Sequence, residues 1–450
     1  MTAGQPDDVT LQEGQVPPSQ EQGGHGEQKV TWLELFFDLI FVVAFDQLAK
    51  RLGDAPQLAQ LGVFTLLFGA VWWSWASNAV YASRYGNESR AYRWGTLAQL
   101  VTMSMIALTL RGDLVDTGRA FALAFGVNRV LQALQSLHAA REEGEAFPWR
   151  LAGSQGLAGG MWLASAALPG GSGGQLGVWG AALAVEVLTP VFTRAHAHAR
   201  LPHEGHLPER VGLLQIIALG AIVTEVVTGG RKQALTWATL VPALAAILTV
   251  VGLWRLYFDQ ARALPLLAAH VEGQVGRMLS WLYGHLPFTL AVVMVGVGLG
   301  HGISDVDAKK DAVSQQWVAW PLAGALIALV GLRANSLIVT HRARLRDRSI
   351  WVMLLAAGAA AGLAALDLDT VQLHLLAAGV TLLAAFLVAT DPLTTRLGRL
   401  EEVVADRLEE GSAPDSLEPE VVEALQDEPD AARAEGTSGN PPTNSATRRS

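Results

Sequence analysis

The stretch TWLELFFDLIFVVAFDQLA, residues 31–49, decides how this chain is read. It is apolar along most of its length yet carries three acids, Glu34, Asp38 and Asp46. At 3.6 residues per turn, Asp38 lies about 40° and Asp46 about 120° around a helix from Glu34, so one broad face holds all three. A charge at the centre of a bilayer costs about 2.5–3.5 kcal/mol on insertion scales. Such a face therefore turns inward and finds partners. Glu34 reads as an interfacial or structural acid and Asp38 as either a counter-ion or a transport group. Asp46 nears the far surface, where water solvates it.

Working outward, similar apolar runs recur near 57–82, 92–110, 118–139, 150–168, 175–194 and 209–228. Others follow near 234–258, 278–300, 316–340, 349–366 and 371–390. About 20 residues span the roughly 30 Å hydrocarbon core, and in lipid only a helix or closed barrel satisfies its own backbone. The expected fold is all-α, a polytopic transmembrane bundle of about twelve helices. Charged residues are only 16% of the chain, 51% is hydrophobic, and the mean hydropathy is +0.30. Cysteine is absent, so thiolate metal sites, disulfides and cysteine nucleophiles are excluded.

The net charge of −9 is unevenly distributed. Residues 1–28 hold five acids and no Lys or Arg, and residues 401–450 hold thirteen acids against four arginines. The body between them is net basic, which suits anionic headgroups. No basic stripe with interleaved aromatics points to nucleic acid. Residues 1–29 and roughly 400–450 read as disordered tails, the second acidic, with Leu400–Leu408 suited to extending the last helix for a few turns. Residues 30–200 and 201–399 read as two six-helix membrane units. No signal peptide is visible. Alternating the loops from a cytoplasmic N-terminus puts about seventeen Lys and Arg inside and about eight outside, so both termini are expected in the cytoplasm.

The two units read as parallel repeats. Glu34 aligns with Glu209, Trp73 with Trp254, Asn78 with Asp259, and Arg129 with Arg333, always in order. Units of six helices repeat in the same orientation, about an axis along the membrane normal. Arg129 and Arg333 lie within their apolar runs, so ion pairs with Glu34 and Asp38 are the natural expectation. Asn78, Glu186 and Glu225 add further polar points. Such groups build ion paths and proton relays, but they also build inert clamps between helices.

WLELFFDLIFVVAF resembles the opening signature of the bacterial low temperature requirement A family. WWSWASNAVYASRYG at 72–86, HLPERVGLLQIIALG at 206–220, LWRLYFD at 253–259 and GHLPFTLAVVMVGVGL at 284–299 are similar to later segments of that family, in order. These include His206, Glu209, Arg210, Gly220, Tyr257 and Asp259. The resemblance spans residues 30–390 and implies a bacterial inner-membrane protein linked to growth at low temperature. It also implies a carboxylate after Leu219-Gly220, where this chain has Ala221. Glu225 lies one turn further along the same face, displaced by about 6 Å. Phe37-Asp38 more faintly resembles the opening of a class of potassium channels with six-helix repeats, whose Arg and Ser are absent here.

The remaining motifs are weaker. His196, His198, His203 and His206 share one loop that could bind a metal, although a polar loop at headgroup level accounts for it better. GVGLGHG at 296–302 mimics a nucleotide-binding run but ends an apolar segment, as close helix packing requires. No acid–base–nucleophile set appears, so neither an enzyme nor a cofactor is expected. The leading expectation is a secondary transporter or ion-conducting protein, with the bilayer, an ion or small solute, and a second copy of the chain as partners. The alternative is a membrane sensor or scaffold working through its acidic tail.

Overall fold

The computed structural model describes residues 28–54, 58–196, 201–231, 233–305, 312–340 and 347–410. Every regular element among them is helical. The first half comprises α1 (Trp32–Asp54), α2 (Leu58–Tyr85), α3 (Arg90–Thr109), α4 (Leu114–Glu143), α5 (Ala146–Ser165) and α6 (Gly173–Thr193). The second comprises α7 (His206–Gly230), α8 (Trp237–Gln260), a short α9 (Leu264–Glu272), α10 (Val275–Ser304), α11 (Ala312–Val339), α12 (Arg348–Gly362) and α13 (Thr370–Ala389), closed by α14 (Pro392–Glu409). The tails 1–27 and 411–450, and His198 of the histidine loop, lie outside the described residues.

Local chemistry sets the helix ends. Ser89, Asp113, Ser172, Asp347 and Asp391 each cap a helix by accepting a backbone N–H, and Asp369 does so within a full capping box with Gln372. Gly144 and Gly273 stop α4 and α9 at φ of 71° and 68°, a left-handed conformation that glycine adopts without a Cβ penalty.

Eight helices among the described residues are long and apolar enough to cross a membrane: α2, α6, α7, α8, α10, α11, α12 and α13. Charges in α1 and α4 and the glycines of α5 dilute the other runs. Even so, Phe36, Leu39, Val101, Leu134 and Leu157 on α1, α3, α4 and α5 are at least half exposed. Large apolar side chains facing outward around the bundle are a surface for lipid, not water.

Within the first half α1 packs on α3, α3 on α4, α4 on α5, and α2 on α6; in the second α7 packs on α10, α10 on α11, α11 on α12, and α8 on α13. The halves meet where α1 lies against α7 and α10. In α10 the run 296–302 is a close-packing seam. A Cβ on Gly298 would lie 2.6 Å from the Trp317 backbone of α11, and one on Gly300 would lie 2.7 Å from the Glu225 carbonyl of α7.

Two elements depart from the sequence reading. Residues 264–272, taken as a connection, form the buried α9. The helix anticipated through Leu400–Leu408 does form, but as a separate α14 and not as an extension of α13, and its Leu397, Leu400 and Val404 pack with Leu264, Leu267 and Leu337 in a separate core. An amphipathic helix gains little from its own hydrogen bonds; burial of its apolar face on α9 holds it.

Candidate functional site

The four charges expected to form one network do not share one. They divide among three separate clusters, each with a partner from another part of the chain.

The first cluster joins the halves at the ends where α1 and α7 begin, here called the basal end. Glu34 stands in the first turn of α1 and Asp38 one turn on, about 9 Å into the helix. Arg210 of α7 grips Asp38 with a fork, Nε donating to Oδ2 at 2.9 Å and Nη2 to Oδ1 at 2.6 Å. Its Nη1 donates to Glu34 Oε1 at 2.9 Å. Trp75 Nε1 donates to Asp38 Oδ1 at 2.8 Å. Glu34 also accepts from the Thr31 backbone N–H at 2.8 Å, Asn87 Nδ2 at 2.9 Å and the Tyr92 hydroxyl at 3.2 Å. His206 Nε2 lies 3.3 Å from Glu34, with Ser83 Oγ 2.7 Å from its Nδ1. All four ionisable groups of this clasp are buried. A bidentate Arg–carboxylate fork with every oxygen satisfied is a rigid joint.

The signal for this joint lies in the spacing. Glu34 and Asp38 are four apart on α1, and His206 and Arg210 are four apart on α7, so each pair occupies one helix face. Two neighbouring helices then carry opposite signs at matched heights. Reading Arg210 only as part of a motif missed it as the counter-ion.

The second cluster lies inside the first half. Arg129 of α4 pairs with Glu186 of α6 at 3.4 Å, and not with the acids of α1. The same Nη1 also donates to Ser77 Oγ at 3.4 Å, and Nη2 donates to Asn128 Oδ1 at 3.3 Å. These contacts are long, and Arg129 Nε, Glu186 Oε1 and both amide atoms of Gln132 have no hydrogen-bond partner. Gln132 and Glu186 border a cavity of about 70 Å³ between α2, α4, α5, α6, α7 and α10, lined also by Trp73, Ser77 and Tyr283 among others. Arg84 and Leu207 in its wall place its near end at the basal side.

On the far side of the Arg129–Glu186 pair stands a plug of Phe121, Phe125, Trp162 and Trp179. Their ring centroids are 4.4–5.8 Å apart and all four are fully buried. The Arg129 guanidinium sits 5.6 Å from the Phe125 ring centre. One face of α4 thus reads aromatic, aromatic, Arg129, Gln132, Ser136 toward the basal end.

The third cluster is structural. Arg333 of α11 donates Nη2 to Asp347 Oδ2 at 2.8 Å, while Asp347 Oδ1 caps α12 through Ile350 N–H at 2.8 Å. Asp347 was not anticipated, because a cap looks like any loop acid until the fold brings α11 beside it.

The other anticipated residues scatter. Glu209 is exposed, and Gly220 faces open space. Tyr257 stacks on Phe288 at 5.1 Å. Asp259 lies 3.0 Å from Arg255 on its own helix. Asn78 reaches Thr96 and Gln99 at 3.4 Å each. Glu225 is half-buried on α7, and Ala221 is in the core. His196 is exposed, His203 and His206 are buried, and no group of three metal-ligating side chains is gathered among the described residues.

An uncharacterized protein of Rhizobium meliloti (strain 1021) is 27% identical over 286 residues, covering 60% of this chain and 69% of that protein. No solved structure matches. Residues 29–385 match the family of bacterial low temperature requirement A proteins, nearly the whole helical body. With its helices, its charge clasp and this match in place, the chain belongs to the bacterial low temperature requirement A family.

Proposed function

We propose that this protein is a membrane transporter of a small solute or ion, seated in the bacterial inner membrane with about twelve spans and both termini in the cytoplasm. It carries out no covalent chemistry. The single observation that carries this reading is the cavity that the first half forms with α7 and α10. It runs from the basal, cytoplasmic end to the loosely held Arg129–Glu186 pair, and the aromatic plug closes the way beyond. Beside this void the Gln132 amide and Glu186 Oε1 stand unpartnered, at about 1–3 kcal/mol each, and a guest in the cavity is placed to answer them. Breaks in the rules of stability gather at sites kept for function.

The halves act as parallel repeats in this reading. Each helix pairing of the first recurs in the second, and Arg129 and Arg333 occupy equivalent helices, both fully buried. The clasp of α1 and α7 is the joint between repeats, and the path runs between the first repeat and α7 and α10 of the second.

The test is flux into liposomes holding the purified full chain. Gradients of ions and small solutes should relax faster than in protein-free liposomes. Phe125→Ala with Trp162→Ala, which thins the plug, should raise a leak. Folded protein that relaxes no gradient, with or without the plug, would refute transport.

A further inference from the structure

We infer that the cavity beside Gln132 and Glu186 binds a small neutral solute with an apolar body and a head that both donates and accepts hydrogen bonds, of the primary-amide class. This inference rests on the transport reading and names its substrate class.

Charge comes first. Among the described lining residues Glu186 is the one acid and Arg84 the one base. Glu186 already faces Arg129 at 3.4 Å, and the Arg84 guanidinium lies 4.2 Å over the Phe147 ring. Both charges of the wall are thus already engaged, Glu186 by Arg129 and Arg84 against Phe147, so a charged guest of either sign would find no spare counter-charge. A buried charge without its own partner is costly, so an uncharged guest is favoured.

Hydrogen bonding defines the head. Gln132 and Glu186 are 1% and 2% exposed, and both line the cavity. Their unpartnered atoms are two acceptors, Gln132 Oε1 and Glu186 Oε1, and one donor, Gln132 Nε2. A primary amide offers two N–H donors and one carbonyl acceptor, the complement of that set. An alcohol supplies one donor fewer.

Walls and size define the body. Trp73, Tyr283, Met278, Leu207 and Leu282 give the rest of the wall its apolar area, with Ser77, Ser136, Ser154 and Gln155 among its polar points. The volume of about 70 Å³ accommodates a molecule of about five heavy atoms, counting roughly one water-sized group per 10–15 Å³.

The test uses propanamide with the full chain. Propanamide should raise the melting temperature of the detergent-solubilised protein, and stopped-flow swelling should show it entering proteoliposomes faster than protein-free ones. Gln132→Leu should lower that entry about tenfold. Without solute, Gln132→Leu should melt at the wild-type temperature or above, because it removes two unpartnered groups from a buried wall. A purely structural Gln132 would give a lower melting temperature with the propanamide response intact, which overturns the inference. Passage of potassium, methylammonium or glycine without propanamide also overturns it, while leaving transport standing. Failure of every solute to enter overturns both.

Discussion

Replacing Arg210 by Gln tests the clasp between the halves directly. The substitution removes a guanidinium that makes three hydrogen bonds of 2.6–2.9 Å to two carboxylates. Glu34 and Asp38 are 0% and 1% exposed, so neither can turn to water once the cation is gone. Removing one partner of a buried pair costs about 3–5 kcal/mol, and with two acids stranded the upper part of that range is expected. Asp38→Asn alone keeps the hydrogen bond from Trp75 but leaves Arg210 with Glu34 only. The double variant should lose less than the sum of the two single losses, by about 2–3 kcal/mol. Unfolding in mixed detergent, followed by tryptophan fluorescence, measures all four corners of this cycle. The penalty of Arg210→Gln should also shrink as pH falls, because protonating a stranded carboxylate removes the uncompensated charge. A loss under about 1 kcal/mol, or strictly additive losses, would show that α1 and α7 are held by apolar packing and not by this fork.

Gly300→Val should separate α7 from α10 and reduce folded yield, since even a Cβ would lie 2.7 Å from a backbone carbonyl; Gly220→Val, with nothing within 4 Å, is the control in gel filtration. Glu401 on α14 accepts the Ala263 N–H at 2.9 Å, and burial pushes its carboxyl above the ordinary range despite Arg262 nearby. The folded state thus holds the proton more tightly than the unfolded one. Stability from this group is greatest at low pH and is lost as pH rises from the ordinary carboxylate value through the raised one. Hydrogen exchange of residues 392–409 should show that dependence, and Glu401→Gln should abolish it. Truncation after Glu410 should leave flux unchanged, whereas truncation after Asp391 should expose Leu264, Leu267 and Leu337 and lower the melting temperature. Loss of cellular function on removing 411–450 with flux intact would favour a tail-dependent scaffold.

Composition and periodicity alone determined that this is an all-helical chain of membrane-length apolar segments with charges that must be sheltered. Those are local properties: a run of leucine, alanine and glycine is a helix in lipid whatever surrounds it. The motif containing His206 and Arg210 was likewise visible, as was the close packing of the glycine run in α10. Partner choice was not. Arg129 takes Glu186, Arg333 takes Asp347, and Arg210 takes Asp38, because pairing depends on which helices become neighbours and at what height. Sign and spacing along one helix carry no information about the helix across from it. The cavity is further still from sequence, since Gln132 looks like any core amide until the surrounding helices leave its two polar atoms unanswered. Charge can be counted in one dimension, but its neutralisation is decided in three.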